Sequence, residues 1–197
     1  PINSFNGSHH SGTTPFHHAA FFGHLDICQH ILDYLGNISP ANKHGDTPLH
    51  DAASNGHFEV FKLIFENMDE KNPKNKGDTT PFHNAAWHGY LDICEFIVRE
   101  INDESILNDQ SSTGTPLCLA ASEGHFEVCK FIIDRVDDKN LARLEDGETP
   151  LHEAVSRGRI DICELIWDHI DEKNPANTAG KTPLHYAAEG GEYEIFE

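Results

Sequence analysis

Apolar and polar residues alternate along this chain with the period of an α-helix, in short blocks separated by turn-forming residues. In the block after Gly23, four apolar residues mark one side of a helix: Leu25, Cys28, Ile31 and Leu32. Polar residues fill the opposite side, and the same alternation returns after Gly124. An apolar stripe at this spacing is typical of a helix that buries one side. The pattern therefore predicts a series of amphipathic helices.

The dipeptide Thr-Pro recurs six times at a nearly constant interval. The units begin at Thr14, Thr47, Thr80, Thr115, Thr149 and Thr182. Their successive spacings are 33, 33, 35, 34 and 33 residues. Self-similarity at such a period is typical of repeat architectures, in which similar units stack on one another. The chain is therefore predicted to be a stack of repeats rather than a single closed core.

Each unit carries the signals for a short first helix followed by a longer second one. Threonine caps a helix start well, and proline fits best as the first helical residue. A glycine, which readily ends a helix, stands nine residues after every threonine: Gly23, Gly56, Gly89, Gly124, Gly158 and Gly191. The first helix is therefore expected to have about two turns. Polar links such as "NPKNKGDT" are predicted to form projecting hairpin tips.

Units such as "TPLHDAASNGH" resemble the ankyrin repeat, whose signature G-x-T-P-L-H-x-A-A-x-x-G-H they match nearly residue for residue. The resemblance covers about the whole chain. It implies an all-α ankyrin-repeat solenoid, built from helix-turn-helix units joined by β-hairpin-like loops. The departures are Cys118 in the histidine position, and Arg159 and Glu192 in the position after the glycine.

The predicted repeat boundaries follow the Thr-Pro starts. A partial repeat or link over 1–11 precedes repeats over 12–44, 45–77, 78–112, 113–146, 147–179 and, truncated, 180–197. End repeats of a solenoid need a polar outer face, and neither end of this chain has that pattern. Further repeats are therefore expected on either side in the parent chain.

Charge narrows the range of partners. The chain has 33 Asp plus Glu against 14 Lys plus Arg, a net charge of -19. This charge repels phosphate backbones and anionic lipid, so neither nucleic acid nor a membrane surface is expected as a partner. No apolar run is long enough to cross a bilayer. Five cysteines without disulfide-like spacing favour a reducing compartment, so we expect a cytoplasmic protein or the cytoplasmic arm of a membrane protein. The sequons at Asn6 and Asn37 are interpreted as chance matches.

The many histidines and cysteines invite a metal or catalytic interpretation, but the repeat favours a structural one. Five histidines share one position, three residues after the threonine: His17, His50, His83, His152 and His185. The ankyrin resemblance implies that this ring bonds between hairpin and helix. Equivalent positions in adjacent repeats lie about 8–10 Å apart, too far to share one metal ion. Other histidines cluster loosely near the N-terminus, including His9, His10, His18 and His24, and there only adventitious metal binding is considered.

Cysteine and acidic positions receive the same structural interpretation. Four cysteines share a position that phenylalanine fills in the other two repeats: Cys28, Cys94, Cys129 and Cys163, with Phe61 and Phe196. A position shared by Cys and Phe indicates packing, and free thiols are expected. An acidic residue stands twelve positions after every threonine: Asp26, Glu59, Asp92, Glu127, Asp161 and Glu194. Stabilisation by the helix dipole is favoured over a ligand-facing stripe. No catalytic constellation, metal site or cofactor site is predicted.

Recognition is expected to use the positions that vary, which lie four, seven and eight residues after the threonine. The predicted partner-binding residues are His18, Phe21, Phe22, Asp51, Asn55, Asn84, Trp87, His88, Leu119, Glu123, Glu153, Arg157, Tyr186 and Glu189. In ankyrin arrays this face lines the concave groove. Phe21, Phe22, Trp87 and Tyr186 are the expected anchors. For Phe21 and Phe22 the alternative is packing against a missing N-terminal repeat.

These observations predict a non-enzymatic protein-interaction scaffold that holds a partner in the concave groove. Acidic groove positions outnumber Arg157, so the expected partner is a basic segment with an apolar anchor. The alternative is a regulatory or anchoring arm of a larger protein, such as a channel, a kinase, a ubiquitin ligase subunit or a secreted effector.

Overall fold

A computed structural model describes residues 12–36 and 40–191, and over these residues the chain is a succession of helix pairs. The first helices of the repeats are α1 Pro15–Phe21, α3 Pro48–Ser54, α5 Pro81–His88, α7 Pro116–Glu123, α9 Pro150–Ser156 and α11 Pro183–Gly190. The second helices are α2 Leu25–Leu35, α4 Phe58–Asn67, α6 Leu91–Ile101, α8 Phe126–Ile133 and α10 Ile160–Trp167. A short 3-10 helix, Glu104–Asn108, lies in the longest link.

Several residues named from the sequence lie outside the described ranges. They are Asn6, His9, His10, Asn37, Glu192, Glu194 and Phe196. The second helix expected after Gly191 falls in the same region. The repeat boundaries themselves stay a prediction.

The predicted helix starts are confirmed at all six Thr-Pro positions. Each threonine has an extended backbone and precedes a proline that is the first helical residue. In α7, the Thr115 hydroxyl accepts a hydrogen bond from the Cys118 backbone N–H at 3.2 Å. Such a bond satisfies one of the amides that the first turn leaves without a partner.

Glycine caps the C-terminal ends of α5, α7 and α11, and it stands one residue after the cap of α1, α3 and α9. Gly89 ends α5 with a φ of 79°, in the left-handed region that favours glycine. Gly56 has a φ of 68°, and the Tyr90 ring of the next repeat occupies the space that a Cβ would need. The same short segment thus turns the chain and lets two repeats approach each other.

The chain separates into two compact units, and each one is a stack of helix pairs. Unit 1 comprises residues 1–101 and unit 2 comprises residues 102–197. In unit 1, α1 packs on α3 and α3 on α5, while α2 packs on α4 and α4 on α6. In unit 2, α7 packs on α9 and α9 on α11, while α8 packs on α10.

The core of unit 1 includes a group of buried aromatic rings on the second helices. Phe65 and Phe96 meet edge to face with ring centroids 5.1 Å apart, and Phe61 lies 6.2 Å from Phe96. All three side chains are buried. Burying a phenylalanine side chain stabilises a fold by about 1.5–3 kcal/mol. Stacking between the second helices α4 and α6 therefore contributes to the stability of this unit.

The links between repeats turn back on asparagine side chains. Oδ1 of Asn75 accepts hydrogen bonds from the backbone N–H groups of Gly77 and Thr79, at 2.9 and 3.0 Å. Asn42 and Asn177 make the same pair of bonds in their own links. Within the described ranges, β pairing is confined to one bridge between Ser111 and Gly114. No helix in these ranges has the length and apolar character needed to cross a membrane.

Candidate partner-binding surface

The histidine that follows each Thr-Pro joins its own helix to the next repeat. In the second repeat, Nδ1 of His50 accepts from the Thr47 backbone N–H at 3.1 Å. The ring proton therefore sits on Nε2, which donates to the Thr79 carbonyl oxygen, 3.1 Å away. His17 and His152 make equivalent bonds to the carbonyls of Asp46 and Lys181. The bond between hairpin and helix that the resemblance implied is confirmed at these three positions.

Burial keeps these three rings neutral. Loss of hydration lowers the pKa values of His17, His50 and His152, although the accepting carbonyls oppose the shift. A second proton would have to go on Nδ1, which already faces a backbone N–H. These rings therefore serve as neutral crosslinks between repeats.

The predicted packing role of the cysteines agrees with their burial. Cys28, Cys94, Cys118 and Cys129 are buried free thiols. Burial raises the pKa of Cys28 to about 11, so almost none of the thiolate that a nucleophile requires forms at neutral pH. Cys163 is also buried, at the same position of its repeat as Cys28, Cys94 and Cys129. Within residues 12–36 and 40–191, no three His, Cys, Asp or Glu side chains come together as metal ligands would.

Most of the predicted partner-binding side chains reach the surface. The exposed ones are His18, Phe21, Phe22, Trp87, His88, Arg157 and Glu189. The partly exposed ones are Asp51, Asn55, Asn84, Glu123, Glu153 and Tyr186. Whether these residues bind a partner stays a prediction.

Leu119 is the exception, because only 5% of it is exposed. The expectation that every position four residues after the threonine projects into solvent is therefore wrong at this repeat. The other repeats place polar or amphipathic residues there, whereas an apolar leucine gains free energy by leaving water. Leu119 offers a partner little surface.

Unit 1 carries an exposed cluster of aromatic rings on and just after α1. Phe22 is 60% exposed and lies 5.1 Å from Phe21, measured between ring centroids in an edge-to-face arrangement. His18 stacks on Phe22 at 6.5 Å, and His24 lies 6.1 Å from it. Two repeats further along, Trp87 is 39% exposed. Exposed aromatic rings of this kind are common anchors of protein interfaces.

Between these aromatic residues, α3 presents shorter polar side chains. Nδ2 of Asn55 donates to the Asp51 carbonyl oxygen at 2.8 Å. Asn84 on α5 reaches across to the His50 carbonyl oxygen at 3.4 Å. Burial, together with the nearby Asp46, raises the pKa of Asp51 to about 7. The negative charge of Asp51 is therefore unfavourable, because the side chain is half-buried and its charged neighbour is another acid.

Unit 2 carries a network of charged side chains between the link around Arg143 and the helices α9 and α11. The Arg143 guanidinium donates to both carboxylate oxygens of Asp146, at 2.9 and 2.5 Å. It also donates to Glu153 at 2.8 Å and lies 3.8 Å from Glu148. The Tyr186 hydroxyl donates to Glu148, and this bond raises the pKa of Tyr186 to about 12. Burial raises the pKa of Glu153, and Arg143 opposes the shift.

Sequence reasoning missed Arg143, although a signal was present. Arg143 stands 28 residues after its threonine, at the position of the link asparagines Asn42, Asn75 and Asn177. The same repeat also departs from the pattern near its start, with Cys118 in place of histidine. A Cβ on Gly114 would lie 3.2 Å from both the Arg143 Cδ and the Cys118 Cβ. The arginine thus packs where a histidine ring and a larger side chain stand in other repeats.

The comparison with known families agrees with this geometry. The family described as "Ankyrin repeats (3 copies)" matches five overlapping stretches of the chain, residues 2–75, 41–105, 62–143, 82–171 and 117–197. A search among curated proteins finds no match. The chain therefore belongs to the ankyrin repeat family, whose members are generally protein–protein interaction modules and typically not catalysts.

Proposed function

We propose that this chain is a non-enzymatic protein-interaction scaffold that holds a partner on the face formed by its first helices. The observation that carries the proposal is the exposure of Trp87, a large aromatic side chain on the first helix of the third repeat. Serine fills the same position in three other repeats, at Ser54, Ser122 and Ser156. The fold therefore does not require a tryptophan there, and an exposed tryptophan is well suited to anchor a partner.

The charges on this face favour a partner that carries basic residues beside an apolar anchor. Unit 2 has 21 acidic and 8 basic residues, against 12 and 6 in unit 1. Attraction between opposite charges speeds encounter and favours matching partners. Acidic positions of the first helices that have no ion pair among the described residues, such as Asp51 and Glu123, would face the basic residues. The same charge opposes nucleic acid and anionic membrane surfaces as partners.

A second candidate is a regulatory or anchoring arm within a larger ankyrin protein, and the exposure of Ile27 favours it. Half of Ile27 is exposed, whereas its counterparts in the next four repeats are at most 2% exposed: Val60, Ile93, Val128 and Ile162. This surface fits one more repeat of the same kind. The buried thiols agree with a cytoplasmic location, either as a separate protein or as the cytoplasmic arm of a membrane protein.

Quantitative affinity capture with the 197-residue chain and a Trp87→Ala variant tests the main proposal. Truncation of an interface anchor typically costs about 2 kcal/mol, so recovery of the specific partner should fall roughly thirtyfold. Tyr34→Ala is the matched control, because Tyr34 is an exposed aromatic residue on a second helix of the same unit. Equal loss with both variants, or no loss with Trp87→Ala, would refute the placement of the binding face. Turnover by the purified chain in a substrate screen would refute the non-enzymatic assignment.

A further inference from the structure

The first helices of unit 1 form a surface with aromatic side chains on two sides and small polar side chains between them. We call it the unit 1 notch: its walls are Phe21 and Phe22 on one side and Trp87 on the other, and its floor is Ser54, Asn55 and Asp51. Phe21, Ser54 and Trp87 stand at the same position, seven residues after their threonines. Because α1 packs on α3 and α3 on α5, the serine lies between the two aromatic positions.

The width of the notch suits an α-helix. Packed helices lie about 8–10 Å apart, so the axes of α1 and α5 are about 16–20 Å apart. A helix with its side chains has a diameter of about 10–12 Å. Such a helix can lie over α3 and touch both aromatic walls at once. An extended segment is narrower and would contact the two walls less fully.

The floor of the notch lacks a positive charge. The Asn55 and Asn84 amides are already engaged with backbone carbonyls of α3. The Asp51 carboxylate forms no hydrogen bond or ion pair with any residue that the structure describes. Its charged neighbour is another acid, Asp46. A half-buried carboxylate beside a like charge is stabilised strongly by a cation brought to it.

We propose that the unit 1 notch binds one α-helix of a partner protein, with a lysine or arginine of that helix paired with Asp51. Apolar side chains of the helix lie against Phe22 and Trp87. Side chains spaced three residues apart turn by about 60° around the helix at each step, so three in succession meet the aromatic wall, the acidic floor and the second wall. This inference rests on the proposed function and specifies the partner's structure and charge.

Peptide selection on the 197-residue chain tests the proposal with defined probes. One library displays a helix-constrained peptide of about 18 residues with randomised positions on one face, and a second displays unconstrained peptides of equal length. We expect the strongest binders from the helical library, with a lysine or arginine between two apolar positions. Asp51→Asn should weaken them at least tenfold, and Glu66→Gln, an exposed acid on a second helix of unit 1, should not.

A double-mutant cycle then assigns the pairing. Replacing the basic residue of the peptide by glutamine should cost as much as Asp51→Asn, and combining both changes should cost little more. If Trp87→Ala weakens binding but Asp51→Asn does not, or if unconstrained peptides bind best, this inference fails and the proposed function stands. If neither variant weakens any selected peptide, both fail. Self-association of the chain that Trp87→Ala abolishes would show a second copy in the notch and would also overturn the inference.

Discussion

Ile27 and Ile93 stand at the same position of the first and third repeats, thirteen residues after the threonine, yet Ile27 is 50% exposed and Ile93 is fully buried. The difference arises from stacking. Ile93 lies on α6, which packs on α4 of the preceding repeat. Ile27 lies on α2, which belongs to the first complete repeat of the unit. Comparing these two isoleucines therefore shows how much burial a preceding repeat provides at this position.

The pair predicts two different costs for the same substitution. Ile93→Ala should lower the free energy of unfolding by about 3 kcal/mol, because it removes buried methyl groups and leaves a cavity. Ile27→Ala should lower it by less than about 1 kcal/mol, because much of that side chain is already in water. Urea denaturation of both variants measures the difference. Equal costs would show that Ile27 is covered in solution.

The dependence of stability on pH should reveal two opposing sets of groups. Burial lowers the pKa values of His17, His50 and His152 from the ordinary 6.5, so the unfolded chain takes up protons first as the pH falls. Their contribution to stability is complete above about pH 6.5 and is lost below it. Asp51 acts in the opposite direction, because its pKa of about 7 makes the folded chain bind a proton first.

Asp51→Asn should therefore make the loss of stability on acidification steeper. The variant keeps the histidine effect and removes the opposing gain between about pH 7 and pH 4. Urea denaturation at pH 7.5, 6.5 and 5.5 checks this slope. A slope equal to that of the unmodified chain would contradict the assigned pKa of Asp51.

The Arg143 network should stabilise unit 2 more than an exposed ion pair does. Arg143→Met retains the length of the side chain but removes hydrogen bonds to Asp146 and Glu153. We expect it to lower the free energy of unfolding by about 1.5–3 kcal/mol. Lys181→Met is the control: it breaks the exposed pair with Glu189 and should cost less than about 1 kcal/mol. Similar costs for the two variants would contradict the assigned role of Arg143.

Gly56→Ala should destabilise the chain by two separable effects. A positive φ alone costs a non-glycine residue about 1–2 kcal/mol. At Gly56 the added Cβ would also collide with the Tyr90 ring. Gly180→Ala isolates the first effect, since Gly180 has a φ of 77° and no atom within 4 Å of such a Cβ. Thermal unfolding should show a larger loss for Gly56→Ala, and equal losses would exclude the Tyr90 contact.

The helices of this fold could be predicted from the sequence because each repeat contains its own local signals for the start and the end of a helix. Thr47 and Pro48 begin a helix by capping and by a fixed φ, and Gly56 ends the turn that follows. These effects involve neighbours in the chain and can be interpreted without a structure. Six copies of them also removed the ambiguity that a single copy would leave.

Contacts between repeats were harder to predict because the partner of a side chain is set by packing. Arg143 meets Glu153 on the next helix, and this pairing depends on the space left by Gly114 and Cys118. Leu119 was assigned to the exposed face by its position, but its apolar character places it in the interior. The position of a residue in the repeat predicts the side of the helix on which it lies, and the polarity of its side chain then determines whether it is exposed or buried.

The replacement of a neutral imidazole by a guanidinium makes neighbouring layers respond to different solution conditions. Where His17, His50 and His152 provide the bond, acid weakens it and electrolyte has little effect. In the fourth repeat, Cys118 replaces the histidine and Arg143 makes the contact instead. Its attraction to Glu153 is between two full charges, and dissolved ions screen such an attraction over about 8 Å at physiological ionic strength. Rising ionic strength would thus lower the local stability of residues 115–148 first, while the repeats that are joined by histidine hydrogen bonds keep theirs.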